Sequence, residues 1–447
     1  MKKVIIIVGL VIFLASPLAM AEEVTLTQEE AVELAIENNR QIEEAKQDIE
    51  IARREITQAR AGYFPSLDVS GSYTRMGDLD DDDEDMEFDT GFPDLDEAFE
   101  SMAESMEPPE DNFSLQFDLE QLIYSGGVRR PAYEMAQNQL EIAKKELEEE
   151  KQELAHQIRE QYYGILQIEE MLEIFNSSLD RVEEYVAQAE SNYELGLFTQ
   201  TDVLQAEISK NQLQQELLSV ENRLKVSELN FKNSLGLESE SELSLSSDLE
   251  YEIEETSYEE ALAEAKDNRL DLKILEIQGE NMELLTRQAN SYLKPQVFFR
   301  GSYGSDGEEI ADSFRLDEAS WNATIGINYN LFDGGAGRAE KETATIEQER
   351  FELMQEDIME MVELDVYEKV LNLEEAEQRI ELQRLNKAEA RSNLEENELK
   401  YEQGMITSLE LLEAQDTFQE AKIDYYQGIY DYNLALSEYE KSIGAGI

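Results

Sequence analysis

The sequence predicts a mostly α-helical protein with a membrane β-barrel portion, built as a tandem duplication of helix, strand hairpin, long helix and helix. Three observations carry that expectation. Val128 to Leu195 runs for 68 residues with one glycine, Gly164, and one proline, Pro131, placed in the first turn where a missing N–H costs nothing. Distant segments of the chain match one another at constant offsets. Four short segments alternate apolar and polar residues with period two, unlike the stretches around them.

The N-terminus comes first. Met1-Lys2-Lys3, an apolar run from Val4 to Leu14 and the small-x-small triplet Ala19-Met20-Ala21 predict a secretory signal peptide over residues 1–21. No later segment approaches the roughly 18 apolar residues of a membrane helix, so any membrane insertion must use strands.

Composition excludes several functions. The 447 residues include 103 Asp and Glu against 37 Lys and Arg, a formal net charge of −66, and no cysteine. Without cysteine there is no disulfide framework, thiol chemistry or thiolate zinc site. Nucleic-acid binding, which needs cations to neutralise phosphates, is not expected. An acid excess spread along the whole chain is a solvation strategy for salty surroundings, where screening removes self-repulsion; cation handling is the alternative. The lone His156 falls on the outer face of the long helix, and no glycine loop cradles a phosphate. No catalysis, cofactor or metal site is expected.

The long helix carries a seam. Counting in sevens from Leu140 gives Leu147, Leu154, Gln161, Ile168, Phe175, Val182 and Ala189, with a companion series Lys144, Lys151, Ile158, Ile165, Leu172, Leu179, Val186 and Tyr193, so that thirteen of the sixteen positions are apolar. Such a seam means lengthwise packing against other helices, over roughly 100 Å at 1.5 Å per residue.

The duplication sets the remaining boundaries. At an offset of 230 stand Ala35/Ala265, Asn38/Asn268, Pro65/Pro295 and Tyr73/Tyr303; at 208 stand Gly126/Gly334, Tyr193/Tyr401, Gly196/Gly404, Thr199/Thr407 and Gly236/Gly444. The 22-residue difference falls in the first hairpin loop, where the acidic stretch Asp78–Asp111 reads as a solvated outer loop. A first repeat is expected over 22–236, with a helix, strands 65–75 and 112–123, a long helix 128–195 and a helix 200–235. An equatorial inter-repeat segment with a small sheet follows over 237–256. The second repeat, 257–447, holds a helix, strands 295–304 and 321–331, a long helix 336–403 and a helix 408–443.

In the strands, Leu67, Val69, Gly71 and Tyr73 interleave with Ser66, Asp68, Ser70 and Ser72, and Phe113, Leu115, Phe117 and Leu119 with Ser114, Gln116, Asp118 and Glu120. Val297 to Tyr303 and Trp321 to Tyr329 repeat the pattern. About ten residues is the length that crosses a bilayer when tilted, and Trp321 suits a membrane interface. A soluble sandwich with one wet face is the alternative. Four strands cannot close a barrel, and open edges in lipid leave backbone groups unpaired, so a membrane protein of this kind must oligomerise.

The junction Leu331-Phe332-Asp333-Gly334-Gly335 and the paired turns Tyr193 to Ala206 and Tyr401 to Ala414, in this duplicated order, resemble the TolC-like outer-membrane efflux protein family. The likeness covers essentially the whole mature chain. It implies a homotrimer: a twelve-strand barrel in outer-membrane lipid, continued by a twelve-helix periplasmic tunnel. Such a trimer is the passive exit duct of a tripartite efflux or type I secretion system, docked to a periplasmic adaptor protein and an inner-membrane transporter. The alternative is a structural periplasmic coiled-coil spacer or adaptor, which should carry one helical hairpin with lipoyl-like β domains.

By position, the acids of the family's periplasmic aperture match Asp202, Glu410 and Glu413. Its latch tyrosine, near the neighbouring acid Asp202, matches Tyr401, while the basic partner of that latch is Ile406 here. Three copies of Glu410 around a narrow mouth would attract cations; the plainer reading is that acids at helix N-termini serve the dipole. The turns Gly196-Leu197-Phe198-Thr199 and Gly404-Met405-Ile406-Thr407 are expected either to dock the adaptor or to staple each turn to its own helices.

Overall fold

The structure, a computed structural model, describes residues 24–75, 92, 93, 95, 98 and 111–446 apart from 242, 247, 255, 316 and 318. The expected leader and most of the acidic stretch Asp78–Asp111 lie outside the described residues. The chain opens with β1 (Val24–Leu26), α1 (Gln28–Asn38), α2 (Arg40–Ala61), β2 (Ser66–Arg75), β3 (Asp111–Tyr124), α3 (Arg129–Glu194) and α4 (Gln200–Ser234). It continues with β4 (Leu243–Leu245), α5 (Tyr258–Asn268), α6 (Leu270–Ala289), β5 (Gln296–Gly307), β6 (Ser320–Asn328), α7 (Ala336–Glu402) and α8 (Ser408–Ser442). Two compact units result: the described parts of Met1–Gln47, Lys144–Ile274 and Glu356–Ile447 form one, and those of Asp48–Ala143 and Leu275–Gln355 the other. No helix among the described residues is long and apolar enough to cross a membrane.

The second unit holds one four-stranded antiparallel sheet in the order β2-β3-β5-β6, so the two hairpins join through β3 and β5. The register aligns like with like. Across all four strands run the rows Val69, Phe117, Tyr303, Trp321 and Leu67, Leu119, Gly301, Ala323. Because alternate side chains point to opposite faces, the rows between them are polar: Asp68, Asp118, Ser302, Asn322 and Ser66, Glu120, Arg300, Thr324. The polar face carries its own bonds. Ser72 Oγ meets Ser114 Oγ at 2.8 Å, Asn322 Nδ2 donates to Ser302 Oγ at 2.5 Å, and Arg300 pairs with Glu120 at 3.2 Å. On the apolar face Val69, Trp321 and Ile325 are exposed.

Two strand ends differ from expectation for identifiable reasons. β5 continues past 304 to Gly307 because β3, its partner on that side, extends to Phe113 opposite Gly307. β6 stops at Asn328 rather than 331, since Asn328 faces Gln296, and Pro295 before it has no N–H to extend the ladder.

In the first unit Ile168, Phe175, Val182 and Ala189 of the predicted seam are buried, while of the companion series Leu172, Leu179 and Val186 are half-buried and Tyr193 is exposed. Ile168, Phe175, Val182 and Ala189 of α3 pack with Leu213 and Val220 of α4 and Leu412 of α8. β4, from the inter-repeat segment, pairs in parallel with β1, Leu26 opposite Leu245. The irregular chain beyond β4 is held by side chains of α8. Tyr432 Oη donates to the Glu252 carbonyl at 2.8 Å and accepts from the Glu254 N–H at 3.1 Å, while Asn433 Nδ2 donates to the Glu250 carbonyl at 2.9 Å. Those bonds satisfy backbone groups that no ladder reaches.

The first helix of each repeat, read as continuous from the sequence, is broken. Asn39 (φ −71°, ψ 134°) separates α1 from α2, and Arg269 (φ −55°, ψ 128°) separates α5 from α6 at the repeat offset. Asn39 restarts α2 through its carboxamide, which accepts from the Gln41 N–H at 2.7 Å. Each break faces a glycine. A Cβ on Gly236 would lie 2.7 Å from Asn38 Cβ, and one on Gly444 would lie 2.7 Å from the Arg269 nitrogen; both glycines have φ near +70°. His156 is likewise not on an outer face: it is half-buried, with Nδ1 2.8 Å from Ser437 Oγ of α8.

Candidate functional site

The two turns that connect α3 to α4 and α7 to α8 lie within the first unit and share one design. Gly196 (φ +74°) and Gly404 (φ +71°) end the long helices in the left-handed conformation that favours glycine. Their N–H groups donate to Tyr193 and Tyr401 carbonyls at 2.9 Å each, and those of Leu197 and Met405 donate to Asn192 and Lys400 at 2.8 Å each. This paired bonding satisfies carbonyls that a helix end leaves open.

The next helices start from threonine caps. Thr407 donates from its N–H and its hydroxyl to Glu410 Oε2, at 2.7 and 2.9 Å, and accepts from the Glu410 N–H at 3.4 Å. Thr199 likewise donates from both groups to Asp202 Oδ2, at 2.8 Å each. These bonds hold both carboxyls below the usual carboxylate range, the Thr407 and Thr199 N–H groups contributing most and the Ser408 hydroxyl adding at Asp202. The pattern Thr-x-x-Asp/Glu was available in the sequence as a capping box. Glu413 is exposed one turn further along α8.

The four apolar turn residues divide. Leu197 and Met405, next to the glycines, are 72% and 60% exposed. Phe198 and Ile406, next to the caps, turn inward. Phe198 joins the same cluster as Val203, and Ile406 packs beside Leu411, each pair spaced as a hydrophobic staple.

Tyr401 is partly buried between the two hairpins. Its ring lies 5.9 Å from Tyr185 of α3 and 6.5 Å from Phe198, both edge-on. The hydroxyls of Tyr401 and Tyr185 are buried without a hydrogen-bond partner among the described residues. Burial pushes the Tyr401 hydroxyl's pKa up, with the neighbouring Tyr185 and Asp202 acting the same way. Tyr185 escaped the sequence reading because it lies off both seam series. The offset comparison does not mark it either, since its counterpart at 208 is Asn393 and not a tyrosine.

Residues 31–237 and 261–445 match the family model described as outer membrane efflux protein. The chain belongs to that family. No curated protein sequence matches it. Among solved structures it is similar to the channel CusC (TM-score 0.77, 15% identity, covering 95% of this chain and 93% of that one). It is also similar to a membrane protein of Pseudomonas aeruginosa (0.79, 17%, 94% and 90%). A third likeness is to the outer membrane protein VceC of Vibrio cholerae (0.73, 16%, 94% and 96%). At these identities the likenesses establish the fold, a mostly helical chain of the outer-membrane channel type.

Proposed function

We propose that three copies of this chain form the exit duct of a tripartite efflux or type I secretion system. Their sheets close a twelve-strand barrel in the outer membrane, and their hairpins continue it as a twelve-helix periplasmic tunnel. The observation that carries this reading is the four-strand sheet with one exposed apolar face and one polar face. Among the described residues its outer edges, on β2 and β6, have no partner strand. In hydrocarbon each unpaired N–H or C=O costs several kcal/mol, on the order of what joining β6 of one copy to β2 of the next would recover at every pair. Val69 and Trp321 then meet lipid, while Asp68, Asp118 and Asn322 line water.

At the helix turns, Leu197 and Met405 offer apolar tips to a periplasmic adaptor, through which an inner-membrane transporter feeds the tunnel. Glu410, Glu413 and Asp202 line the mouth, where three-fold repetition gathers negative charge that favours cations. The duct is passive. Fractionation should recover the protein from the outer membrane, and light scattering in detergent should give three chains per particle. A soluble periplasmic monomer would sink the reading and favour the spacer alternative.

A further inference from the structure

The chain carries 103 acids against 37 Lys and Arg, yet its strand–helix junctions reverse that balance. Segments 57–65, 125–131, 287–295 and 332–338 hold six cations, Arg60, Arg129, Arg130, Arg287, Lys294 and Arg338, and one acid, Asp333. That acid is occupied: its carboxylate accepts from the N–H groups of Gly335 at 2.9 Å and Gly337 at 2.7 Å. At the opposite strand ends acids prevail again, with Asp111, Asp306, Glu308, Glu309 and Asp312 near Arg75 and Arg315. We propose that the cavity between Arg130, Arg287 and Lys294 binds the phosphate of an anionic phospholipid in the periplasm-facing leaflet of the outer membrane. This rests on the barrel reading above, which puts the junctions at that leaflet.

Folding brings these cations together within the second unit. Gly126 (φ +70°) and Gly127 (φ +101°) let the start of α3 approach the chain that follows α6. A Cβ on Gly126 would lie 3.0 Å from the Ser291 carbonyl oxygen, and one on Gly127 would lie 3.6 Å from Lys294 Nζ. A cavity of about 440 Å³, the size of a small-ligand site, opens beside this contact. Three cations line it, Arg130, Arg287 and Lys294, against one carboxylate, Glu134. Arg130 pairs with Glu134 at 2.7 Å and Arg287 with Glu283 at 3.2 Å. Both pairs are exposed, where an ion pair is weak enough to yield to a doubly bonded phosphate. Lys294 is exposed and has no ion pair among the described residues.

Helix dipoles do not account for the cations. Arg60 and Arg287 suit the last turns of α2 and α6, but Arg129, Arg130 and Arg338 stand in the first turns of α3 and α7, where a cation opposes the dipole. Every other α-helix among the described residues has an acid in its first turn. Aromatics mark the same junctions: Tyr63, Phe64, Tyr124, Tyr329 and Phe332 are exposed there, and such rings sit at headgroup level. Apolar strand faces, then aromatics, then cations follow the order in which a bilayer presents tails, interface and phosphates. A phosphate touching Arg or Lys at about 2.8 Å lies within even the roughly 3 Å screening length of molar salt.

Native mass spectrometry of the full-length trimer in detergent, titrated with phosphatidylglycerol, tests this. Affinity should fall about fivefold in each of Arg130→Gln, Arg287→Gln and Lys294→Gln, and roughly a hundredfold in the triple variant. Arg300→Gln, which removes the same charge from the polar face of the sheet, should bind as the unmodified trimer does. Phosphatidylethanolamine, whose headgroup is neutral overall, should bind more weakly than phosphatidylglycerol. Where the triple variant forms no trimers on gels, Lys294→Gln, which breaks no ion pair of the described chain, decides by its own fivefold loss. Equal affinity in the variants and the unmodified trimer overturns the inference. Displacement of the lipid by inorganic phosphate overturns it too, making the cavity a site for free anions. Tighter binding of lipopolysaccharide, lost in the same variants, overturns it by putting the junctions at the other leaflet. If the protein is recovered as a soluble periplasmic monomer, the barrel reading falls and this inference with it; an outer-membrane trimer that binds no phosphatidylglycerol overturns the inference alone.

Discussion

Glu410 Oε2 accepts hydrogen bonds from both the N–H and the hydroxyl of Thr407, at 2.7 and 2.9 Å. Asp202 and Thr199 repeat the arrangement 208 residues earlier. Of the three acids proposed for the aperture, Asp202 and Glu410 are therefore also the residues that cap α4 and α8, so a substitution at either changes both a helix cap and a charge, while Glu413 lies one turn further along α8. Separate threonine and glutamate variants distinguish the two.

Removing the cap alone is done at threonine. Thr407→Ala and Thr199→Ala should each cost about 1 kcal/mol in denaturant unfolding, and the serine variants much less. Glu410 is held below its ordinary pKa mainly by the Thr407 N–H and then by its hydroxyl. That contribution to stability is present above the unfolded value, about pH 4.3, and is lost as pH falls through the folded value. Infrared titration of the carboxylates should show Glu410 titrating higher in Thr407→Ala.

Substituting Glu410 removes the charge together with the cap, so it is read against Thr407→Ala, which removes the cap hydroxyl alone. Glu410→Ala combined with Glu413→Ala should raise single-channel conductance or relieve block by divalent cations. Unchanged conductance together with unchanged block would remove both residues from the aperture.

His156, the one histidine of the chain, gives a single resonance to follow. Burial lowers its pKa, with Lys441 adding to the effect. The folded state therefore binds this proton less readily than the unfolded chain, and stability falls as pH drops below about 6.5. The imidazole should titrate below that value by NMR. In His156→Gln the fall in melting temperature between pH 7 and pH 5 should shrink.

Glycine substitutions should rank by what surrounds the site. Gly196 has φ +74° and nothing within 4 Å of the position a Cβ would take, so Gly196→Ala should cost only the left-handed penalty of about 1–2 kcal/mol. Gly236→Ala and Gly444→Ala carry that penalty plus a Cβ at 2.7 Å from the helix break of their repeat. Both should lower the melting temperature more than Gly196→Ala, and equal shifts would contradict the close approach.

Adjacent residues of β6 should report opposite faces. Ile325→Arg places a charge on the apolar row and should cost about 2–4 kcal/mol if the residue lies near the bilayer midplane, seen as lost outer-membrane assembly. Thr324→Arg, on the polar row beside Arg300, should assemble and instead change ion selectivity.

Much of the helical and strand character was legible because periodicity is local. The seam from Leu140 to Ala189 marks one helix, and the alternation through Leu67, Val69 and Tyr73 marks a strand, whatever surrounds them. The breaks at Asn39 and Arg269 were not legible, since neither residue is a proline or glycine. Asn39 caps α2 through its own carboxamide, Asp271 in the first turn of α6 accepts the Leu272 N–H, and a glycine just past the end of α4 or α8 packs on each break. Of the candidate site, the turn glycines and threonine caps could be read from spacing, whereas the Tyr185 contact could not, because it joins residues far apart in the chain.

What the sequence by itself determined is the duplicated order of elements, the alternating faces of four strands, the absence of thiol chemistry and the place of the two turns. All of these follow from residue type and spacing along a single segment or from one offset. What only the tertiary structure decided is which partner each face meets. It joined β3 to β5, turned Phe198 and Ile406 inward while leaving Leu197 and Met405 exposed, and put Tyr401 between two hairpins with its hydroxyl unbonded among the described residues. The β3–β5 pairing and the Tyr401 contacts join chain segments about two hundred residues apart and are fixed by packing density, which is no property of a local window; at the turns the spacing to Val203 and Leu411 allowed either role, and packing chose between them.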